Sequence, residues 1–473
     1  MSGPPQRGGP PRLRVLAVGA ALLGLPAAEA RADDLSYRSV PIGGRAIGLG
    51  GAFTGLGSDP SGIVHNPAGL VDVRQGSVQV GTNLYGIEVQ GTLTDAFGTV
   101  TDINRVVSVL DIIPAIAANV NVLSEGDEDG AGRTVFGLGS FTPAASSQQT
   151  SVIELLGPEE RFPGCARLAY ERTSSDRRFL FGGGVGHQLD ARWSFGFSAF
   201  LGYRALRDRE EIACSDEAGG VDGPAFSSAD NRVDLDVFSL RMSFAGLARL
   251  DDGWSVGAVI SPPSVGLFSS AGVRIRRTSA LPASGRTDFL LEERSDLTGA
   301  SDDGLEVRLG AAKRWPGKGT VALDLSFHAP VTYDLVEAPD DDADFLAPLT
   351  LTTRVQRNAV VNIAFGGEWY PSEEWILASG LFTNLSSAPE VPDRERFDED
   401  RLAHVDEVGL TLLGGFATDH NLTRAGLVLT LGNGRDVVPR YAGLGAIGGR
   451  VRYVGTDVRE AGIYVFVSNT TRY

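Results

Sequence analysis

The sequence predicts an all-β protein, an antiparallel transmembrane β-barrel of about fourteen strands with an N-terminal hatch or plug segment. Three observations predict it. The chain begins with the three-part pattern of an export signal. No later run stays apolar long enough to cross a bilayer as a helix. From about Phe179 onward, two-faced segments alternate with connections that are short and long in turn.

The export signal comes first. Arg7, Arg12 and Arg14 form a positive region, Val15 to Ala28 a short apolar core, and Ala30-Arg31-Ala32 a small-residue cleavage site before Asp33. No cysteine follows directly, which argues against a lipoprotein signal. The expected division is a signal peptide over 1–32, a hatch over 33–75 and a barrel over 76–473. The nearest approach to a spanning helix, Val106 to Val122, is broken by Asp111 and Pro114.

Composition excludes some classes. The formal charge of −17, from 42 Lys+Arg against 59 Asp+Glu, lacks the basic footprint that nucleic acid requires. Acidic tracts at Glu125 to Asp129, Asp340 to Asp342 and Asp398 to Asp400 read as solvated loops. Asp340, Asp341, Asp342 and Asp344 lack the spacing of an EF-hand calcium loop. Two cysteines rule out a disulfide scaffold and leave the pairing of Cys165 with Cys214 open.

The hatch is the stretch Gly43 to Leu70, GGRAIGLGGAFTGLGSDPSGIVHNPAGL. Gly48, Gly50, Gly51, Gly55 and Gly57 permit close backbone approach or positive φ. Asp59-Pro60 and Asn66-Pro67 start turns. A phosphate cradle is disfavoured, because no Gly-Lys-Ser/Thr follows.

Strands are expected near 77–93, 133–142, 165–174, 178–188, 192–206, 232–249, 253–277, 304–315, 319–334, 353–370, 374–386, 406–418, 421–432 and 440–470. In 320–328, Val321, Leu323, Leu325 and Phe327 share one face, and Thr320, Ala322, Asp324, Ser326 and His328 the other. Leu305, Val307, Leu309 and Ala311 likewise oppose Glu306, Arg308, Gly310 and Ala312. Trp193, Phe195, Phe197 and Leu201 oppose Ser194, Gly196, Ser198 and Gly202. Alternation alone also fits a sandwich. Strand length, the gathering of Trp193, Trp254, Trp315, Trp369 and Trp375 near strand ends, and the alternating connections favour a barrel. The region 97–161 fits poorly, and Asp102 to Ala118 reads as either a helix or an extracellular lid. Gly455 to Arg459 resembles a turn, and the terminal aromatic Tyr473 after an alternating strand suits a barrel protein.

One strand changes phase. Val233, Leu235 and Val237 hold odd positions, then Phe238, Leu240, Met242 and Phe244 hold even ones. A one-residue slip requires a bulge or kink, expected at Val237-Phe238, with an ordinary rim bulge and a ligand portal both open.

Catalytic chemistry finds little support. The five histidines lack metal-ligand spacing, so neither metal nor cofactor is expected. Asp324, Ser326 and His328 share a lumenal face, which keeps an outer-membrane lipid hydrolase as an alternative. Gly253-Trp254-Ser255-Val256-Gly257 matches a nucleophile-elbow string, but a turn precedes the serine and a strand follows, the reverse of an elbow. Glu306, Arg308, Arg314 and Glu368 read as an internal ion-pair network.

Two parts of the chain carry a family resemblance. The run Arg45-Ala46-Ile47-Gly48-Leu49-Gly50-Gly51-Ala52-Phe53, then Asp59, then Asn66-Pro67-Ala68-Gly69-Leu70, closely resembles the mature start of FadL-like and TodX-type outer-membrane transporters. Barrel texture such as Trp254 to Pro263 extends the likeness. The resemblance implies an outer-membrane location and a hatch containing Phe53 and Asn66 to Gly69 inside a fourteen-stranded barrel. It also implies passive, cofactor-free uptake of hydrophobic small molecules, fatty acids or hydrocarbons, with sideways release through a kinked strand. The expected protein is a monomer whose partners are its apolar ligand and outer-membrane lipid. A non-transporting accessory or structural barrel remains a further alternative.

Overall fold

A computed structural model describes residues 41–473 except 91–92, 95–99, 102–104, 110–113, 128–129, 156–166, 217–224, 282–284, 340, 343, 347–348, 350, 393–395, 398–401 and 442–450. The expected signal peptide lies outside the described residues.

Fourteen antiparallel strands close into one barrel. They are β1 (Ser77–Gln90), β2 (Arg105–Val109 with Pro114–Ser124), β3 (Thr134–Leu155), β4 (Arg167–Gln188) and β5 (Trp193–Asp216). Next come β6 (Ala225–Arg249), β7 (Trp254–Ser261 with Val265–Leu281), β8 (Arg286–Leu297 with Glu306–Trp315) and β9 (Gly319–His328). The rest are β10 (Val360–Trp369), β11 (Trp375–Asn384), β12 (His404–Ala417), β13 (Asn421–Tyr441) and β14 (Val451–Arg472). The last strand pairs with the first from Ser77↔Arg472 to Gln90↔Glu460, so the sheet has no free edge there.

Strand length sets the shape of the barrel. Each of β9, β10 and β11 has 10 residues, as does the second piece of β8. About 9–11 tilted residues suffice to cross a bilayer. By contrast β3, β4, β5 and β6 have 22, 22, 24 and 25, so this side of the wall rises well beyond the lipid.

Side chains alternate as the membrane demands. Leu323, Leu325 and Phe327 of β9, Ile363 and Phe365 of β10 and Phe195 and Phe197 of β5 are exposed outward at lipid level. All five tryptophans are exposed and stand beside short connections, at the start of β5, β7 and β11 and the end of β8 and β10. They form an aromatic girdle at the short-turn end, the periplasmic side of such barrels. Lys313 lies 5.5 Å from the Trp254 ring centroid and 6.0 Å from that of Trp315, a cation at the water boundary.

Above the lipid the pattern inverts. On β6, Val233, Leu235 and Val237 point inward and Arg232, Asp234 and Asp236 outward, where Arg207 pairs with both aspartates. Lower on the same strand Ser239 and Ala245 point inward, and Phe238 and Phe244 outward. The expected kink at Val237-Phe238 is therefore corrected. The β5–β6 register runs unbroken from Trp193↔Ala248 to Asp216↔Ala225, and the inward face keeps the same parity throughout. Apolar residues change face because the surroundings change from lipid to water. The local irregularity lies on the neighbouring strand, between Gly266 and Phe268.

Three other expectations change. Both pieces of β2 fall in the stretch read as a helix or lid, Arg105–Val109 wholly and Pro114–Ser124 at its start, and they pair with β1, the second piece also with β3. The two segments expected at 165–174 and 178–188 are the single strand β4, and Gly455 to Arg459 lies within β14. Among the described residues no helix is long and apolar enough to cross a membrane.

Candidate functional site

The bore is filled by the hatch. Two short helices, α1 (Gly44–Gly48) and α2 (Gly62–His65), are followed by a 3-10 turn over Pro67–Asp72 that leads out to β1. Ala46, Leu49, Ala52, Phe53 and Leu56 pack against Ala312 and Ala322 of β8 and β9. Ile63 and Leu70 pack on the opposite side against Ile116, Val135 and Phe141 of β2 and β3. Ile47 meets Phe382, Leu413 and Phe466. The hatch thus buries apolar side chains on several walls at once, which fixes its seat.

Glycines on the wall admit the hatch backbone. A Cβ on Gly257 would lie 2.1 Å from the Thr54 carbonyl oxygen, and one on Gly310 2.7 Å from the Gly55 amide nitrogen. Gly196, Gly366 and Gly380 meet Ala68, Leu49 and Gly50 in the same manner. Within the hatch, Gly50 and Gly51 have φ of 64° and 92°, as expected, whereas Gly48 serves close approach to Leu413 and Ala378.

Polar bonds set the register. The Asp324 carboxylate accepts from the Phe53 and Thr54 amides at 2.9 and 2.7 Å. Asn66 Nδ2 donates to the Thr54 carbonyl at 2.5 Å while its Oδ1 accepts from the Ala68 amide at 3.0 Å, capping the turn that holds Pro67, Ala68 and Gly69. Phe53 meets the His65 ring edge-on at 5.6 Å. Ser255 Oγ donates to the Gly55 carbonyl at 2.6 Å, so the elbow-like string is a hatch anchor. Arg45 binds Glu368 through Nε and Nη2 and also reaches Ser58. Burial by itself lowers the Arg45 pKa; Glu368 and Tyr370 outweigh it, and the guanidinium is held above its usual value.

At the periplasmic mouth, Asp72 bridges Arg249 and Arg314 at 2.6 and 2.9 Å. Arg133 donates to the Val71 and Val73 carbonyls. Of the expected lumenal network only Glu306 and Arg308 pair with each other; Glu368 and Arg314 bind hatch residues instead. Sequence reading did not single out Thr54, Asp72, Arg249 or Arg133, and it named Arg45 only as the first residue of the hatch motif. Its one usable signal was charge recurring at inward parity on lipid-level strands.

Ser326, His328 and Asp324 share the lumenal face as expected and line a cavity of about 70 Å³ with Arg308, Asn362, Asn384 and the apolar Pro41 and Phe382. Asp324 is committed to the hatch amides. Towards the outside, Leu206, Val233, Leu235, Val273, Tyr333 and Phe345 belong to one buried apolar cluster, formed by the tall wall and the β9–β10 connection folded against it, and the buried Arg204–Asp176 pair adjoins it through the Tyr333 hydroxyl. Cys214 is disulfide-bonded, and Cys165 lies outside the described residues. Among the described residues no group of acidic, histidine or cysteine side chains is placed to hold a metal.

A closed antiparallel barrel with an outer apolar belt, plugged by its own N-terminal segment, defines a bacterial outer-membrane β-barrel protein. The chain has the fold of FadL-type and TodX-type channels. The P. putida toluene transporter TodX matches with TM-score 0.56 and 13% identity over 93% of this chain and 99% of that one. A Pseudomonas aeruginosa FadL homologue matches with TM-score 0.56 and 12% identity over 92% and 99%. The CymD monoaromatic hydrocarbon channel gives 0.52 and 13% over 93% and 99%. No family model and no curated protein matches the chain.

Proposed function

We propose that this protein is a channel for passive uptake of hydrophobic small molecules, long-chain fatty acids or hydrocarbons, across the outer membrane. The observation that carries the reading is the buried apolar cluster on the outer side of the bore, above a hatch seated by separable side-chain bonds. A porin for polar solutes gains nothing from such a cluster, whereas an apolar molecule partitions into apolar surroundings from water. On the hatch side, β3 carries a bulge between Phe141 and Ala144, at Thr142-Pro143, where two residues face one on β4. It supports sideways release through a kinked strand.

The channel works as a monomer with no cofactor or energy source, and residues 1–32 are removed on export, leaving Asp33 as the mature terminus. Cells lacking their own apolar-compound channels, with and without this protein, should differ in uptake of radiolabelled oleate or toluene. Equal uptake at matched outer-membrane levels would defeat the proposal. Sequencing of the mature N-terminus checks the processing site.

A further inference from the structure

The outward face of the tall wall is ordered in rows. Across β4, β5, β6 and β7 the register aligns Phe179, Tyr203, Phe238 and Phe268. Their rings follow one another at 6.2, 4.7 and 4.4 Å, an aromatic ribbon where the lipid-facing surface ends. Tyr203 donates its hydroxyl to Asp236 at 2.7 Å, so the ribbon has an apolar body and a polar upper rim.

Six positions further out on each strand, Arg209, Arg232 and Arg274 stand directly opposite one another on β5, β6 and β7. All three are half-exposed. Like charges in direct cross-strand register repel. The row below obeys that rule, with Arg207 opposite Asp234, and the arginine row breaks it. Its carboxylates come from the margins: Asp230 and Glu211 beyond the row, Asp234 before it and Glu293 at its flank. Among the described residues these bonds engage Nε and Nη2, and none engages Nη1. The row therefore keeps one guanidinium edge per arginine for a further acceptor.

Depth and charge name that acceptor. Six residues of tilted strand climb roughly 15 Å, above the acyl chains and level with the sugars of an outer-leaflet glycolipid. Guanidinium groups bind phosphate oxygens in forked geometry, and a phosphate monoester carries enough charge to bridge neighbouring arginines. Below the ribbon, Phe181, Phe197 and Phe244 are exposed to acyl chains. We propose that the outward face of β4–β7 docks the phosphorylated glycolipid of the outer leaflet, lipopolysaccharide, whose sugar phosphates bridge Arg209, Arg232 and Arg274. Its acyl chains lie against the aromatic side chains below. The surface is outside the bore and does not depend on the channel reading.

The test titrates the full folded protein in detergent with fluorescently labelled lipopolysaccharide, in EDTA so that no divalent cation bridges phosphate to carboxylate. The combined variant Arg209→Gln, Arg232→Gln and Arg274→Gln should bind about tenfold more weakly or worse, the loss expected of charge-assisted bonds. Arg192→Gln with Arg354→Gln removes exposed arginines elsewhere and should leave affinity within about twofold, as rim charges do. Dephosphorylated lipopolysaccharide should bind the wild type as weakly as the intact glycolipid binds the triple variant. Excess inorganic phosphate should not displace the intact glycolipid. Heat-shifted gel mobility confirms folding, and the single change Arg232→Gln, with an intermediate loss, serves if the triple variant misfolds. Wild-type affinity in the row variants, an equal loss in the Arg192 and Arg354 variant, or full displacement by inorganic phosphate would overturn the proposal.

Discussion

Arg45 grips Glu368 across 323 positions of sequence, with Nε at 3.0 and 2.9 Å from the two carboxylate oxygens and Nη2 at 2.7 Å. The pair joins the first helix of the hatch to the lower part of β10, and Tyr370 adds a hydrogen bond from its hydroxyl to the same carboxylate at 2.8 Å. Fork geometry makes the contact directional as well as attractive. It therefore fixes how α1 is turned inside the bore.

Removing one member leaves the other buried and uncompensated, which costs roughly 3–5 kcal/mol for such pairs. Glu368→Gln should weaken the seat of the hatch without unfolding the barrel, whose ladder does not depend on that side chain. The expected outcome is faster cleavage of the Gly43–Leu70 segment by added protease and more frequent conductance steps in planar bilayers. Unaltered protection would mean that the apolar packing alone seats the hatch.

The wall glycines give a steric counterpart. Gly257→Val and Gly310→Val each place carbon where the hatch backbone already lies, at 2.1 and 2.7 Å from its nearest atoms. The hatch must shift, because Thr54 and Gly55 are backbone obstacles that no rotamer change relieves. Gly414→Val is the control, since a Cβ there meets nothing within 4 Å. The first two variants should assemble with a protease-sensitive hatch, and the control should behave as wild type.

Much of this was legible in the residues, and the exceptions have physical reasons. Leu323, Leu325 and Phe327 alternate with Asp324, Ser326 and His328, and the period alone assigns lipid and lumen. The same logic misled at Val237-Phe238, where a single period was assumed to have a single surrounding. The expected count of fourteen survived two compensating errors. The polar stretch from Glu171 to Arg178 hid the continuity of β4, while β2 was mistaken for a helix or lid. Seats such as Asp324 on the Phe53 and Thr54 amides were illegible, because they join positions about 270 residues apart through backbone donors that leave no trace in sequence.

The inversion along β6 has its own test. Phe244 faces lipid, so Phe244→Arg should destabilise the folded barrel by about 2–4 kcal/mol, less if the site lies near an interface. Ser228 lies far up the same strand, beyond the switch, and Ser228→Arg should stay within about 0.5 kcal/mol of wild type. Reversible urea unfolding in vesicles measures both. Equal penalties would mean that the apolar boundary is not at Phe238.

Asn66 closes the hatch on itself, and its two bonds go to different parts of the segment, Thr54 before it and Ala68 after it. Asn66→Ala removes both and leaves the Thr54 carbonyl without that donor in a buried site, at about 1–3 kcal/mol for the stranded group. Deleting Asn66 to Gly69 takes the whole cap away, including the turn whose close fit puts Gly69 against Gly57. Neither change touches a barrel ladder, so assembly, read as heat-shifted mobility on gels, should persist. Uptake of labelled oleate should change in both, and more in the deletion, because a loosened plug alters the route through the bore. Unchanged uptake in the deletion would show that Asn66 to Gly69 do not control passage, and the hatch role assigned to them would fall.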